Sequence, residues 1–378
     1  MKMMLNEDPP FDDEFHKFLN FGKKLGLSFA FVPANNTAPH DHRDVVSIQQ
    51  PCNNQQDKDE MIEKFKHGSL HLLVSTNLRD QIQPNLIDST DCALVSEYER
   101  IQRCNDLAFN ETNQFWDSDN ETFLKFIIAK KIQQIVFFKQ SIKAKADELI
   151  YILNKSLRPR SIINLLFAKQ ILAFCEKRLS FYDGFAPIYA QVIVLVTSKL
   201  PHSMDFFIAE LNRLCIYTVP KHRNYLEFAF ESKEAFYRTV GYREQDGKIE
   251  SDVSYLERLA NYMRLYGALV QTEVEGAENW HGIMHGWAWL VRFLMGLPAN
   301  VYTAVALEAF LSMAGYKLHN KYKIHFIRMM SIVSEQFLEE LKREGDQKAV
   351  AVLARIQKYI EGREFLQEPE GCRATYYG

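Results

Sequence analysis

From Phe123 onward, apolar residues return every three or four positions with only short breaks between one stripe and the next. "SYLERLANYMRLYGALV", residues 254–270, shows the pattern most plainly: Tyr255, Leu259, Tyr262, Met263, Tyr266 and Val270 recur at the spacing of one face of an α-helix. Comparable stripes cover roughly 123–153, 161–180, 186–199, 203–214, 282–295, 301–315, 321–343 and 347–361. Consecutive helices with broad apolar faces and short links bury those faces against one another. The pattern therefore predicts a mainly α fold of stacked helical hairpins, an α-solenoid. No strict period is visible, so the expected repeats are degenerate. Ser254 and Glu257 have the spacing of a capping box at the start of the 254–270 helix.

The preceding part reads differently. Within residues 1–105, "LSFAFV" (27–32) and "LHLLVST" (70–76) have strand character, and "DKDEMIEKFKHG" (57–68) reads as a short helix ending at Gly68. A small α/β segment over 1–105, a linker over 106–122, a helical domain over 123–371 and a tail over 372–378 are expected. The length of 378 residues leaves room for that division. Formal net charge is −3, so no global field draws in nucleic acid or an anionic membrane, and any anion site must be a local patch. The six cysteines form no C-x-x-C pair, and Cys175 and Cys215 fall inside apolar helical stripes, as suits a reducing compartment. The acidic start, with Glu7, Asp8, Asp12, Asp13 and Glu14, is unlike a signal peptide, and no apolar run reaches the ~18 residues of a membrane span. A soluble protein of nucleus or cytoplasm is expected.

Catalytic patterns are incomplete throughout. In "NWHGIMHGWAWL" (279–290), His281 and His285 have the i, i+4 spacing of a zinc pair. The position of the general base is Gly282, and no third ligand stands at a recognised distance. The expectation is that the pair binds no metal and that Trp280, Trp287 and Trp289 pack there. "GYREQDGKIE" (241–250) has five residues between Gly241 and Gly247 and Ile249 after Lys248, so it is a turn rather than a phosphate loop. "FAFVPANNT" and "EKFKHGSLHLLVSTN" (within 25–100) resemble the second RecA-like lobe of superfamily-two helicases. Asn77 replaces the usual Asp, and neither a Walker lysine nor an arginine finger follows. ATP hydrolysis by this chain is therefore disfavoured, and no enzymatic activity is expected.

Cations also punctuate the helices: Lys130 and Lys131, Lys169, Lys177 and Arg178, then Arg213 followed by Lys221, His222 and Arg223. Such residues are mostly solvated, but clustered ammonium and guanidinium groups also bind polyphosphates through charge-assisted bonds. The segments that carry them, "FAKQILAFCEKRLSFYDGFAP" (167–187) and "AELNRLCIYTVPKH" (209–222), together with "HGWAWLVRFLMGLPANVYTAV" (285–305) and "REFLQEPEG" (363–371), resemble the C-terminal domain of the Gle-one mRNA export factor family, the plant members most closely. The likeness runs in order through about 125–371. It implies a HEAT-like domain similar to the middle domain of translation initiation factor four G. It also implies a DEAD-box export helicase as partner, stimulated at the cytoplasmic face of the nuclear pore, with inositol hexakisphosphate bridging the two proteins. Nuclear pore proteins, translation initiation factors and phospholipid are further implied contacts; sequence-specific binding to nucleic acid is not. Carried over by motif, the inositol-phosphate residues are Lys169 and Arg213, with Lys177 and Lys131 as neighbours. Glu210 and Leu214 stand where fungal members are basic, so a thinner pocket is expected. A non-stimulating scaffold is the alternative role.

Overall fold

The computed structural model describes residues 99–107, 118–136, 138–179, 182–200, 202–220 and 232–372. The chain divides into two units, Met1–Cys92 and Ala93–Gly378, and every described residue belongs to the second. The strands and helix expected before residue 99 lie outside the described residues. Residues 99–107 are helical and join the second unit: Cys104 packs with Phe206 and Ala209, and Arg100 lies 3.7 Å from Asp205. The expected boundary at 105 thus falls inside a helix that is part of the helical unit. The next helix begins at Ser118, so the last five residues of the stretch read as linker are helical.

The helices are α1 (Ser118–Gln133), α2 (Lys139–Lys155), α3 (Arg160–Leu179), α4 (Phe185–Thr197), α5 (Ser203–Leu214), α6 (Lys233–Val240), α7 (Asp252–Gln271), α8 (Ile283–Gly296), α9 (Val301–Tyr322), α10 (Ile324–Ile332), α11 (Leu338–Glu344) and α12 (Val350–Glu361). Two layers result. In one, α1 packs on α3 and α3 on α5; in the other, α2 packs on α4, α4 on α7 and α7 on α9. Contacts of α1 with α2 and of α3 with α4 join the layers as rungs. This is the α-solenoid expected from the stripes. A helix apolar all round belongs between neighbours rather than on the surface, and α4 is such a helix, with Ile188, Tyr189, Val192, Ile193, Val194 and Val196 all buried.

Several boundaries differ from the sequence reading. The stripe 123–153 is two helices. Ile128, Ile132, Ile135, Ile142, Ala146, Leu149 and Leu153 are all buried at helical spacing, so the phase runs straight through the turn at 134–138 and hides it. The cap of α7 is Ser251, whose Oγ accepts from Ser254 N at 3.2 Å. The serine repeat S-D-V-S set the reading three residues late. The 321–343 stripe breaks at Lys323, in an unusual conformation with φ 44°, and again at a π-helical turn over Val333–Phe337. The short helix α6, capped by Ser232 Oγ accepting from Ala235 N, had no apolar stripe to announce it.

The tightest helix pair is α7 with α9. A Cβ on Gly267 would lie 2.7 Å from the carbonyl oxygen of Phe310, so only glycine lets the two backbones approach this closely. Around that contact Trp289 packs against Phe310, ring centroids 4.1 Å apart, and its Nε1 donates to the Tyr217 carbonyl at 2.8 Å. That bond ties α8 to the turn after α5.

Candidate anion-binding surface

The helices α1, α3 and α5 end in cations: Lys130 and Lys131, Lys177 and Arg178, and Arg213. The negative end of the helix dipole favours positive charge in a last turn, which accounts for the pattern without any ligand. The ends of α1 and α3 meet, because Arg178 Nη2 donates to the Gln133 carbonyl at 3.5 Å. The ends of α3 and α5 both face α7. Glu176 accepts from Tyr262 at 2.6 Å, and Tyr262 is among the groups acting on Arg213.

The four candidate residues fall into two classes. Arg213 is already held: its Nη2 and Nε lie 2.5 and 2.9 Å from the two oxygens of Glu210, a carboxylate only 4% exposed. Lys131 lies 2.8 Å from Glu148, which also takes Lys145 at 2.9 Å. Hydrogen bonds from Lys131 and Lys145 hold the Glu148 carboxyl below its usual range. Lys169 and Lys177 are exposed and pair with no carboxylate among the described residues. They lie eight residues apart on α3, about 12 Å along the axis at 1.5 Å per residue. Helix packing puts all four on one layer, but two of them are offered to solvent and two are engaged within the chain.

Sequence reading missed the polar cluster beside this surface. Arg243 grips Glu176 with both Nη atoms at 2.5 and 2.6 Å, and Arg258 pairs with Glu250 and donates to the Gly241 carbonyl at 2.8 Å. Burial pushes the Glu176 carboxyl up, but the bonds from Arg243 and Tyr262 outweigh it and hold the group below its ordinary value. The cluster fastens the hairpin of β1 (Glu244–Gln245) and β2 (Lys248–Ile249) to α3 and α7. The segment 241–250 is a turn, as read. The one available signal was a glutamate and an arginine, Glu176 and Arg258, inside otherwise apolar stripes.

The histidine pair lies within the helical unit. The rings of His281 and His285 stack with centroids 4.2 Å apart, and His281 Nε2 lies 3.3 Å from the Tyr266 hydroxyl. Burial, then the neighbouring His285, Arg100 and Arg292, keep His281 well below the usual imidazole value. Trp287 and Trp289 are buried as expected, but Trp280 is 59% exposed and does not pack in the core. Among the described residues no group of three or more His, Cys, Asp or Glu could hold a metal ion, and no helix is long and apolar enough to cross a membrane.

A family model described as GLE1-like protein matches residues 116–334, from two residues before α1 to within the π-helical turn. The chain belongs to the GLE1-like family. It is 38% identical over 293 residues to the mRNA export factor GLE1 of Arabidopsis thaliana, covering 76% of this chain and 43% of that protein. The Mus musculus mRNA export factor GLE1 is 27% identical over 209 residues, 53% of this chain and 30% of that one. The chain thus spans less than half the length of these GLE1 relatives. A chain of the solved complex in which a variant S. cerevisiae Dbp5 C-terminal domain is bound to Gle1 and IP6 superposes with a TM-score of 0.65. It covers 74% of this chain and 97% of that chain, at 15% identity, a likeness of fold alone. The two-layer helical stack is therefore the GLE1-like part of the molecule.

Proposed function

We propose that the chain is a non-enzymatic module of mRNA export that docks on a DEAD-box RNA helicase and speeds its ATPase cycle, with inositol hexakisphosphate held at the contact. Membership in the GLE1-like family supports the reading. The observation that carries it is the stack shared with a chain from a complex holding a Dbp5 C-terminal domain, Gle1 and IP6. Lys169 and Lys177 on α3 are the cations ready to meet phosphate. Arg213 joins them only by leaving or sharing Glu210. By binding one arrangement of the helicase lobes better than the other, the module would shift the helicase toward the state that releases RNA. Action at the cytoplasmic face of the nuclear pore, with nuclear pore proteins and translation initiation factors as further partners, belongs to the same proposal.

A second reading is favoured by the Arg213–Glu210 and Lys131–Glu148 pairs. With two of four candidate cations engaged internally, the module would dock as a scaffold without ligand and without stimulation. Capture of a DEAD-box export helicase by the purified chain, with and without inositol hexakisphosphate, separates the two. Capture strengthened by the ligand and lost with Lys169→Gln supports the first. Capture indifferent to both supports the scaffold.

A further inference from the structure

The first hairpin of the stack departs in charge and in surface from the rest of the chain. Residues 118–160 carry nine Lys and Arg against four Asp and Glu, in a chain whose formal net charge is −3. The same hairpin holds much of the exposed apolar surface: Phe123 (63%), Phe126 (64%), Phe138 (53%) and Tyr151 (64%). These residues are ordered by helix geometry. On α1 the ridge Phe123, Phe126, Lys130, at i, i+3 and i+7, lies opposite the buried Ile128 and Ile132. On α2 the ridge Lys143, Asp147, Tyr151, Lys155, at steps of four, is exposed at every position, opposite the buried Ile142, Ala146, Leu149 and Leu153. Lys155 Nζ sits 5.7 Å from the centre of the Tyr151 ring.

Outward faces of a solenoid are normally polar, and the rings on these two ridges are exposed. Exposed rings would favour a protein partner if they stood alone, but protein–protein interface cores are depleted in lysine. Here lysine and aromatic residues share each ridge. That combination suits a strand of phosphates with flat bases attached: cations follow the backbone while rings accept stacked bases, without reading their identity. The α2 ridge is about 18 Å long at 1.5 Å per residue, room for a few nucleotides.

We propose that the α1–α2 hairpin is a sequence-independent binding surface for single-stranded RNA. Its residues, Phe123, Phe126 and Lys130 of α1 and Lys143, Tyr151 and Lys155 of α2, are none of the four candidate inositol-phosphate cations. Stacking and phosphate contacts together give binding that weakens steeply with salt. Losing two stacking rings reduces affinity roughly tenfold or more.

The test is fluorescence anisotropy of a labelled oligouridine with the full chain at low and high salt. It compares wild type, Phe126→Ala with Tyr151→Ala, and Lys143→Gln with Lys155→Gln, with inorganic polyphosphate as a competitor that has no bases. All four side chains are exposed, so the thermal unfolding midpoint of each variant stays at that of wild type. Both double variants bind the oligouridine more weakly, the lysine pair also flattens the salt dependence, and polyphosphate competes poorly. Absence of oligouridine binding at low salt would overturn the proposal. So would aromatic variants that bind like wild type while the lysine variants do not, since that marks a surface for any polyanion or for an acidic protein. Wild-type binding by both double variants would put the RNA elsewhere and overturn it equally.

Discussion

Arg213 leaves 49% of its side chain in solvent, yet Glu210 holds its guanidinium from one side at 2.5 and 2.9 Å. A phosphate arriving there competes with a carboxylate that is already in place. Glu210→Gln keeps the shape and removes the charge, so inositol hexakisphosphate binding should strengthen, by roughly tenfold if one charge-assisted contact of about 1.5–3 kcal/mol is restored. Lys169→Gln should weaken it to a similar degree. Calorimetric titration of both variants at two salt concentrations checks this, and equal affinities throughout would place the ligand elsewhere. Two other residues are among those that make stability respond to pH. His281 is held well below 6.5. As pH falls through that ordinary value the unfolded chain takes up a proton that the native protein does not, and stability declines until the lower native value is reached. Glu176 is held below 4.5. Its contribution is present above that value and is lost as pH falls through the native one. Unfolding midpoints measured against pH should therefore drop in two stages, and His281→Gln should reduce the first, to which His285 also contributes, and leave the second. The sequence named His281 and Arg213 but not their partners. Glu210 and Tyr266 reach them across a helix turn or between helices, and only the packing decides which side chain meets which.

Among the elements, α7 and α9 carry the stack. Their backbones are closest at Gly267, where an added methyl would lie 2.7 Å from the Phe310 carbonyl oxygen and 3.1 Å from Met313 Cβ. Gly267→Ala should cost about 1–3 kcal/mol as the helices part, read as a lower midpoint in chemical denaturation with little change in slope. Ser251→Ala removes the cap of α7 and should cost about 1 kcal/mol. Ser254→Ala should cost less, because Ser254 lies inside the helix. The α7 stripe was plain in the sequence because its buried residues recur at 3.6 spacing. Its start was not, because two serines three apart offer the same signature. The 134–138 turn was hidden by a hydrophobic phase that passes through it unbroken, and α6 by having a single buried residue, Val240. Periodicity reports burial, and it marks helix ends only where burial changes with them.

For the molecule as a whole, the order of stripes was enough to indicate a helical solenoid, and the segments at 167–187, 209–222, 285–305 and 363–371, taken in order, indicated the family. The state of the candidate site was not legible. Four cations on the sequence become two exposed lysines and two residues tied to Glu210 and Glu148, since the pairing depends on which neighbouring helix supplies a carboxylate. The central claim is that this stack activates a helicase rather than merely holding one. It is tested most directly by the RNA-dependent ATPase rate of a purified DEAD-box export helicase, measured with the chain, with inositol hexakisphosphate, with both and with neither. The account predicts no ATP turnover by the chain alone and a rate with both present that exceeds either single addition, a gain that falls away with Lys169→Gln. A helicase rate unchanged by the chain at concentrations that saturate its binding would contradict it.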